Sequence, residues 1–76
     1  MIEIYAPSSE IEGERIVSFL QSEGIEAILR STQHLPQMPT SAELTIFTSE
    51  KSRSKAIEMI ANARRDKIIT DTGLFL

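Results

Sequence analysis

An α+β domain, an antiparallel sheet carrying two helices on one face, is the fold class that this sequence predicts. Three observations predict it. Apolar residues alternate with period two over residues 1–6, 25–30 and 44–48, the spacing of half-buried strands. They recur with helical period over residues 10–23 and 50–65. Proline, glycine and small polar residues separate these segments.

The first strand is expected over residues 1–6, with Ile2, Ile4 and Ala6 toward the core and Glu3 and Tyr5 away from it, until Pro7 breaks the ladder. Ser8 and Ser9 offer helix caps, and Ser9 with Glu12 forms a capping-box pattern. A helix follows over residues 10–23, with Ile11, Ile16, Val17, Phe19 and Leu20 as its apolar stripe and Gly24 as its left-handed terminator. Gly13 within it suits a close packing contact.

A second strand is expected at residues 25–30, with Ile25, Ala27 and Leu29 inward and Glu26, Ile28 and Arg30 outward. The polar stretch 31–41 holds Pro36 and Pro39, which forbid a regular ladder, and it is long for a hairpin in so short a chain. In the third strand Leu44, Ile46 and Thr48 point inward and Thr45 and Phe47 outward. Thr48, Ser49 and Ser52 are candidate caps for a second helix over residues 50–65, whose buried stripe is Ala56, Ile57, Ile60 and Ala63, with Met59 at its margin. A short fourth strand is expected at residues 67–70, followed by a turn at Asp71, Thr72 and Gly73 and the apolar tail Leu74, Phe75 and Leu76. The order βαββαβ is a split βαβ arrangement, the ferredoxin-like sandwich, in one domain over residues 1–76.

The 76 residues suffice for one hydrophobic core. Hydrophobic residues make up 41% and charged residues 25%, so a folded chain is expected rather than a disordered one. With no cysteine, disulfides, thiolate chemistry and cysteine zinc sites are excluded, and association between copies becomes an attractive source of stability. Residues 1–9 lack the basic and apolar regions of a secretion signal, and no apolar run approaches the ~20 residues of a membrane span. A cytoplasmic setting without membrane contact is expected. The net charge of −3 argues against nucleic-acid binding. Its distribution is uneven, because residues 1–30 carry six glutamates against Arg15 and Arg30, whereas residues 50–71 carry Lys51, Arg53, Lys55, Arg64, Arg65 and Lys67 against four acids.

Two segments resemble a family of small bacterial domains known as prokaryotic signal transducing proteins. They are EIEGERIVSFLQSEGIEAIL at residues 10–29, preceded by the Tyr5 strand and a short polar turn, and LTIFTSEKSRSKAIEMI at residues 44–60. The resemblance implies a fold similar to that of the nitrogen-regulatory PII signalling proteins, without an established biochemical activity. The glycine-rich, basic nucleotide loops of those regulators are missing, and residues 31–41 contain no tyrosine to modify, so no nucleotide-binding residue is carried over.

No catalytic centre is expected. His34 is the only histidine, which makes neither a triad nor a metal cluster with its loop neighbours. Glu10, Glu12 and Glu14 fit the dipole preference of a first helical turn. Ser8 and Ser9 could hold an anion only weakly without a glycine, and capping explains them better. Strands 1 and 3 each carry an aromatic residue, as RNA-recognition sheets do, but residues 42–49 lack the basic, glycine-aromatic octamer and Glu3 and Glu26 would place negative charge beside the bases.

What remains is a surface. Alternation sends Tyr5, Ile28 and Phe47 to the sheet face opposite the helices, where the third strand of a ferredoxin-like sheet brings them together. The expected function is therefore a non-enzymatic regulatory or interaction module, without metal or cofactor, contacting a second copy or a protein partner through Tyr5, Ile28 and Phe47, with loop 31–41 as a second contact. The alternatives are a tail Leu74 to Leu76 that folds back over this face, and a small-molecule sensor similar to ACT-type domains, whose ligand lodges between subunits in a pocket lined by residues 7–13 and Ile25.

Overall fold

The computed structural model describes residues 1–31 and 44–76. Strand β1 (Ile2–Ala6) leads into helix α1 (Glu10–Ser22), strand β2 (Ala27–Ser31) and strand β3 (Leu44–Thr48). A single 3-10 turn (Glu50–Ser52) then precedes helix α2 (Arg53–Arg65) and the short strand β4 (Leu74–Phe75). The result is a small α+β fold with one antiparallel four-stranded sheet, ordered β2-β3-β1-β4, and two helices.

Local chemistry accounts for the helix ends. Ser9 has extended backbone, and its Oγ accepts the Glu12 backbone N–H at 3.1 Å, satisfying one donor of the first turn. The capping box is not closed by Glu12, whose carboxylate is directed elsewhere. At the other end Gly24 has φ +79°, and the Gly24 and Ile25 N–H groups donate to Gln21 and Leu20 carbonyls, the Schellman arrangement. Helix α2 ends in the same way, with Lys67 at φ 60° and the Lys67 and Ile68 N–H groups donating to Arg64 and Ala63.

This second terminator corrects the expected fourth strand. Residues 67–70 wind away from the helix through the left-handed Lys67, and the pairing falls later, where Leu74 and Phe75 meet Ala6 and Tyr5. The start of α2 differs too: Ser49 and Ser52 make no side-chain cap bond, and the Thr48 hydroxyl donates to the Glu26 carbonyl, tying β3 to the entry of β2.

One cluster of buried residues holds the elements together. Helix α1 supplies Ile16 and Leu20, α2 supplies Ala56, Ile60 and Ala63, and the sheet supplies Ile4, Tyr5, Ala27 and Ile46, joined by Ile25 and Ile69. Val17, Phe19, Ile57 and Met59 pack at its margin, whereas Ile11, expected in the apolar stripe, is 74% exposed. Its place against the core is taken by the adjacent Glu12 and Gly13, both buried. A Cβ on Gly13 would lie 2.8 Å from Leu29 Cδ1 and 3.0 Å from Pro7 Cγ, so the absent side chain is what lets α1 sit this close to β2.

Candidate interaction site

Register decides which side chains share a face, because directly opposed residues in an antiparallel pair project to the same side. Phe47 is opposed by Ile28 on one flank and by Glu3 on the other. The next row inward is Leu29, Ile46 and Tyr5. Ile46 is fully buried in the core, so alternation along β3 places Phe47, Ile28 and Glu3 on the opposite surface of the sheet. Ile28 and Phe47 are half-buried there, and with Met1 and Arg30 they line an open depression of about 310 Å³.

Tyr5 does not join them, which corrects its expected position. Between Glu3 and Tyr5 the register of β1 against β3 slips, because Ile4 is inserted opposite no residue of its own. Such a bulge turns two consecutive side chains toward one face. Ile4 and Tyr5 are both 1% exposed, and Ala6, expected in the core, goes to the other side with its partner Leu74. The adjacent apolar pair Ile4-Tyr5 was the visible signal of this break in alternation.

The Tyr5 ring is enclosed. Phe75 meets it edge-on with centroids 4.9 Å apart, and Gly73 lies so close that a Cβ there would fall 2.5 Å from the phenolic oxygen. The Arg64 guanidinium lies 5.3 Å from the Phe75 ring centroid and donates to the Asp71 carbonyl at 2.9 Å. Glu12, read from sequence as a first-turn acid, accepts the Thr70 N–H at 2.8 Å and pins the segment between α2 and β4 to α1. This bond spans 58 positions of the chain, which is why local pattern could not reveal it.

Burial pushes the Tyr5 hydroxyl above its usual pKa of 10.0; the Arg64 charge and a Gly73 backbone hydrogen bond pull it down, and Glu12 and Asp71 raise it. A raised folded-state pKa means that stability is complete below pH 10 and declines as pH climbs through the folded value, since the unfolded chain releases the proton first. Tyr5 is the only tyrosine, so tyrosinate absorbance reads it directly. The expected result is native ionisation at higher pH than in urea, coincident with loss of circular dichroism. Ionisation at the same pH in both, with circular dichroism intact, would place the ring in solvent.

The other sequence readings fall as follows. Of residues 7–13 and Ile25, expected to line a ligand pocket between subunits, Pro7, Glu12, Gly13 and Ile25 are buried within the chain, whereas residues 8–11 are exposed. Ser9 serves as a cap. The tail Leu74 to Leu76 forms the edge strand and its continuation, with the Leu76 N–H donating to the Ile4 carbonyl at 3.1 Å, and does not fold back across Ile28 and Phe47. His34 and the loop contact at residues 32–41 lie outside the described residues. Among the described residues no group of three histidine, cysteine or acidic side chains could hold a metal ion, and no helix is long and apolar enough to cross a membrane.

Comparison with protein-family models, with curated proteins and with solved structures returned no match.

Proposed function

We propose that this chain is a non-enzymatic regulatory module that associates with a second copy of itself through the sheet surface bearing Ile28 and Phe47. One observation carries the reading. The Ile28–Phe47 cross-strand pair faces away from the core beside the 60% exposed Met1, and on the same surface Leu74 at the β4 edge is 68% exposed. Neighbouring apolar side chains left outside the core of a small domain are the usual substrate for association, since burying them between copies adds the apolar area that one short chain lacks.

The ferredoxin-like assignment belongs to this proposal. It is supported by the strand order, in which β3 lies between β1 and β2 and β4 pairs with the far edge of β1, and by the common core that both helices share with the sheet. The kinship with prokaryotic signal transducing proteins, and with it a cytoplasmic role in bacterial signalling, rests on the two sequence segments that resemble that family.

The test is light scattering over a range of concentrations. The wild type should weigh more than one chain, and Ile28→Asp and Phe47→Asp should each raise the dissociation constant about 30-fold, the effect of losing about 2 kcal/mol at an interface hot spot. Their thermal midpoints, extrapolated to the single-chain state, should stay near that of the wild type. A wild type that remains a single chain, or variants that assemble as it does, would defeat the proposal.

A further inference from the structure

We infer that the groove between α1, the end of α2 and residues 67–72 is a binding site for a small organic oxyanion, a carboxylate or phosphate carried on a short apolar body. The site is separate from the open surface, because it adjoins Phe75, which shares the Tyr5 side of the sheet and not the side of Ile28 and Phe47.

The groove is open to solvent on one side, has a volume of about 540 Å³ and is lined by residues 67–72 together with Arg15 and Arg64. That volume lies within the ~300–1,000 Å³ typical of small-molecule sites and is far more than a bare ion occupies. Three cations converge on it from three parts of the chain: Arg15 from α1, Arg64 from α2 and Lys67 from the helix terminator. Like charges gathered around one space repel, and nearby carboxylates would normally compensate them. Here the lining holds one carboxylate, Asp71, and the Glu12 carboxylate lies against the Thr70 N–H, so two acids stand against three cations. Among the described residues the only ion pair within 4.0 Å is Arg65 with Asp66, so none of Arg15, Arg64 and Lys67 is paired with a described carboxylate.

Arg64 is also held in position. Its ring contact with Phe75 and its single bond from Nη2 to the Asp71 carbonyl fix the guanidinium plane while leaving its other donors unused by described residues. An immobilised guanidinium with spare donors is suited to two-point recognition of a carboxylate or phosphate. The Thr70 and Thr72 hydroxyls are hydrogen-bonded to each other at 2.8 Å, which leaves one O–H donor at the same rim. Glu12 fixes the whole segment by accepting the Thr70 N–H, so these groups are arranged before any ligand arrives.

The remaining wall is apolar. Ile69 is buried beneath the groove, and Ile68 is 52% exposed at its side, an aliphatic surface with no polar function. A ligand with an anionic head and a short hydrocarbon body satisfies both halves.

The experiment is an NMR titration of the full chain with hexyl phosphate, hexanoate, inorganic phosphate and hexanol. Hexyl phosphate or hexanoate should shift the amides of residues 67–72 and of Arg15 saturably in the millimolar range or below, and which of the two binds tighter identifies the head group. Inorganic phosphate should bind more weakly and hexanol should not bind. Arg15→Gln combined with Lys67→Asn should weaken binding about tenfold or more. Both positions are exposed, and asparagine tolerates the left-handed backbone of Lys67, so the fold survives the change. No saturable shift at residues 67–72 with either hexyl compound, shifts that hexanol reproduces, or unchanged affinity in the folded variant would each overturn the inference.

Discussion

Tyr5→Ala should lower the free energy of unfolding by about 3–5 kcal/mol, the usual cost of deleting a fully buried aromatic side chain. A chain of 76 residues has a total stability of roughly 4–11 kcal/mol, so this one change removes a large share of it. The size follows from position. Tyr5 is 1% exposed, belongs to the main cluster with Ile4 and Ile46, and forms the inner wall against which Phe75 and Gly73 close. Its loss leaves a cavity and also detaches the two-residue β4, which has little else to hold it than its pairing with β1. Tyr5→Phe keeps the ring and should cost about 1 kcal/mol, the worth of one hydrogen bond. Urea denaturation measures both. A Tyr5→Ala loss within about 0.5 kcal/mol, as at an exposed position, would show that the ring lies on the surface.

Gly73→Ala should cost about 1–3 kcal/mol, the range for an added methyl in a packed site. The new Cβ would stand 2.5 Å from the Tyr5 oxygen and 2.6 Å from two ring carbons, closer than real side chains come. Relief cannot come from a flexible chain end, because a planar ring fixed by Phe75 has to move as a body or the backbone of residue 73 has to retreat, loosening β4. The two predictions are coupled. In a Tyr5→Ala background the methyl enters the space the ring has left, so Gly73→Ala should then cost close to nothing. Equal losses in both backgrounds would mean that the glycine matters for some reason other than the ring.

Much of the architecture was legible because it depends on local rules. The Ser9 cap, the Gly24 terminator, the buried stripe of α2 and the outward Ile28 and Phe47 follow from neighbouring residues and strict periodicity. Two errors came from single residues that break a period. An inserted Ile4 moved Tyr5 from the expected surface into the core, and a lysine in the left-handed region ended α2 where a strand was expected. Lysine gives no warning of that conformation, which usually belongs to glycine or asparagine.

The oxyanion groove was illegible for a different reason. Arg15, Arg64 and Lys67 are separated along the chain and each reads as an ordinary solvated charge. The contact between Glu12 and Thr70, far apart in sequence, and the burial of Ile69 in the core bring the segment carrying Lys67 onto α1. The candidate interaction surface shrank correspondingly, from three expected residues to the Ile28–Phe47 pair with Met1 beside it.

Side-chain NMR of Ile28, Phe47 and Tyr5 during dilution tests the self-association account most directly, because all three lie on strands and only two face outward. As copies separate, the methyl resonances of Ile28 and the ring resonances of Phe47 should move together along one concentration curve while the Tyr5 ring stays fixed. Movement confined to α1 or α2, or spectra that do not change between dilute and concentrated protein, would contradict it.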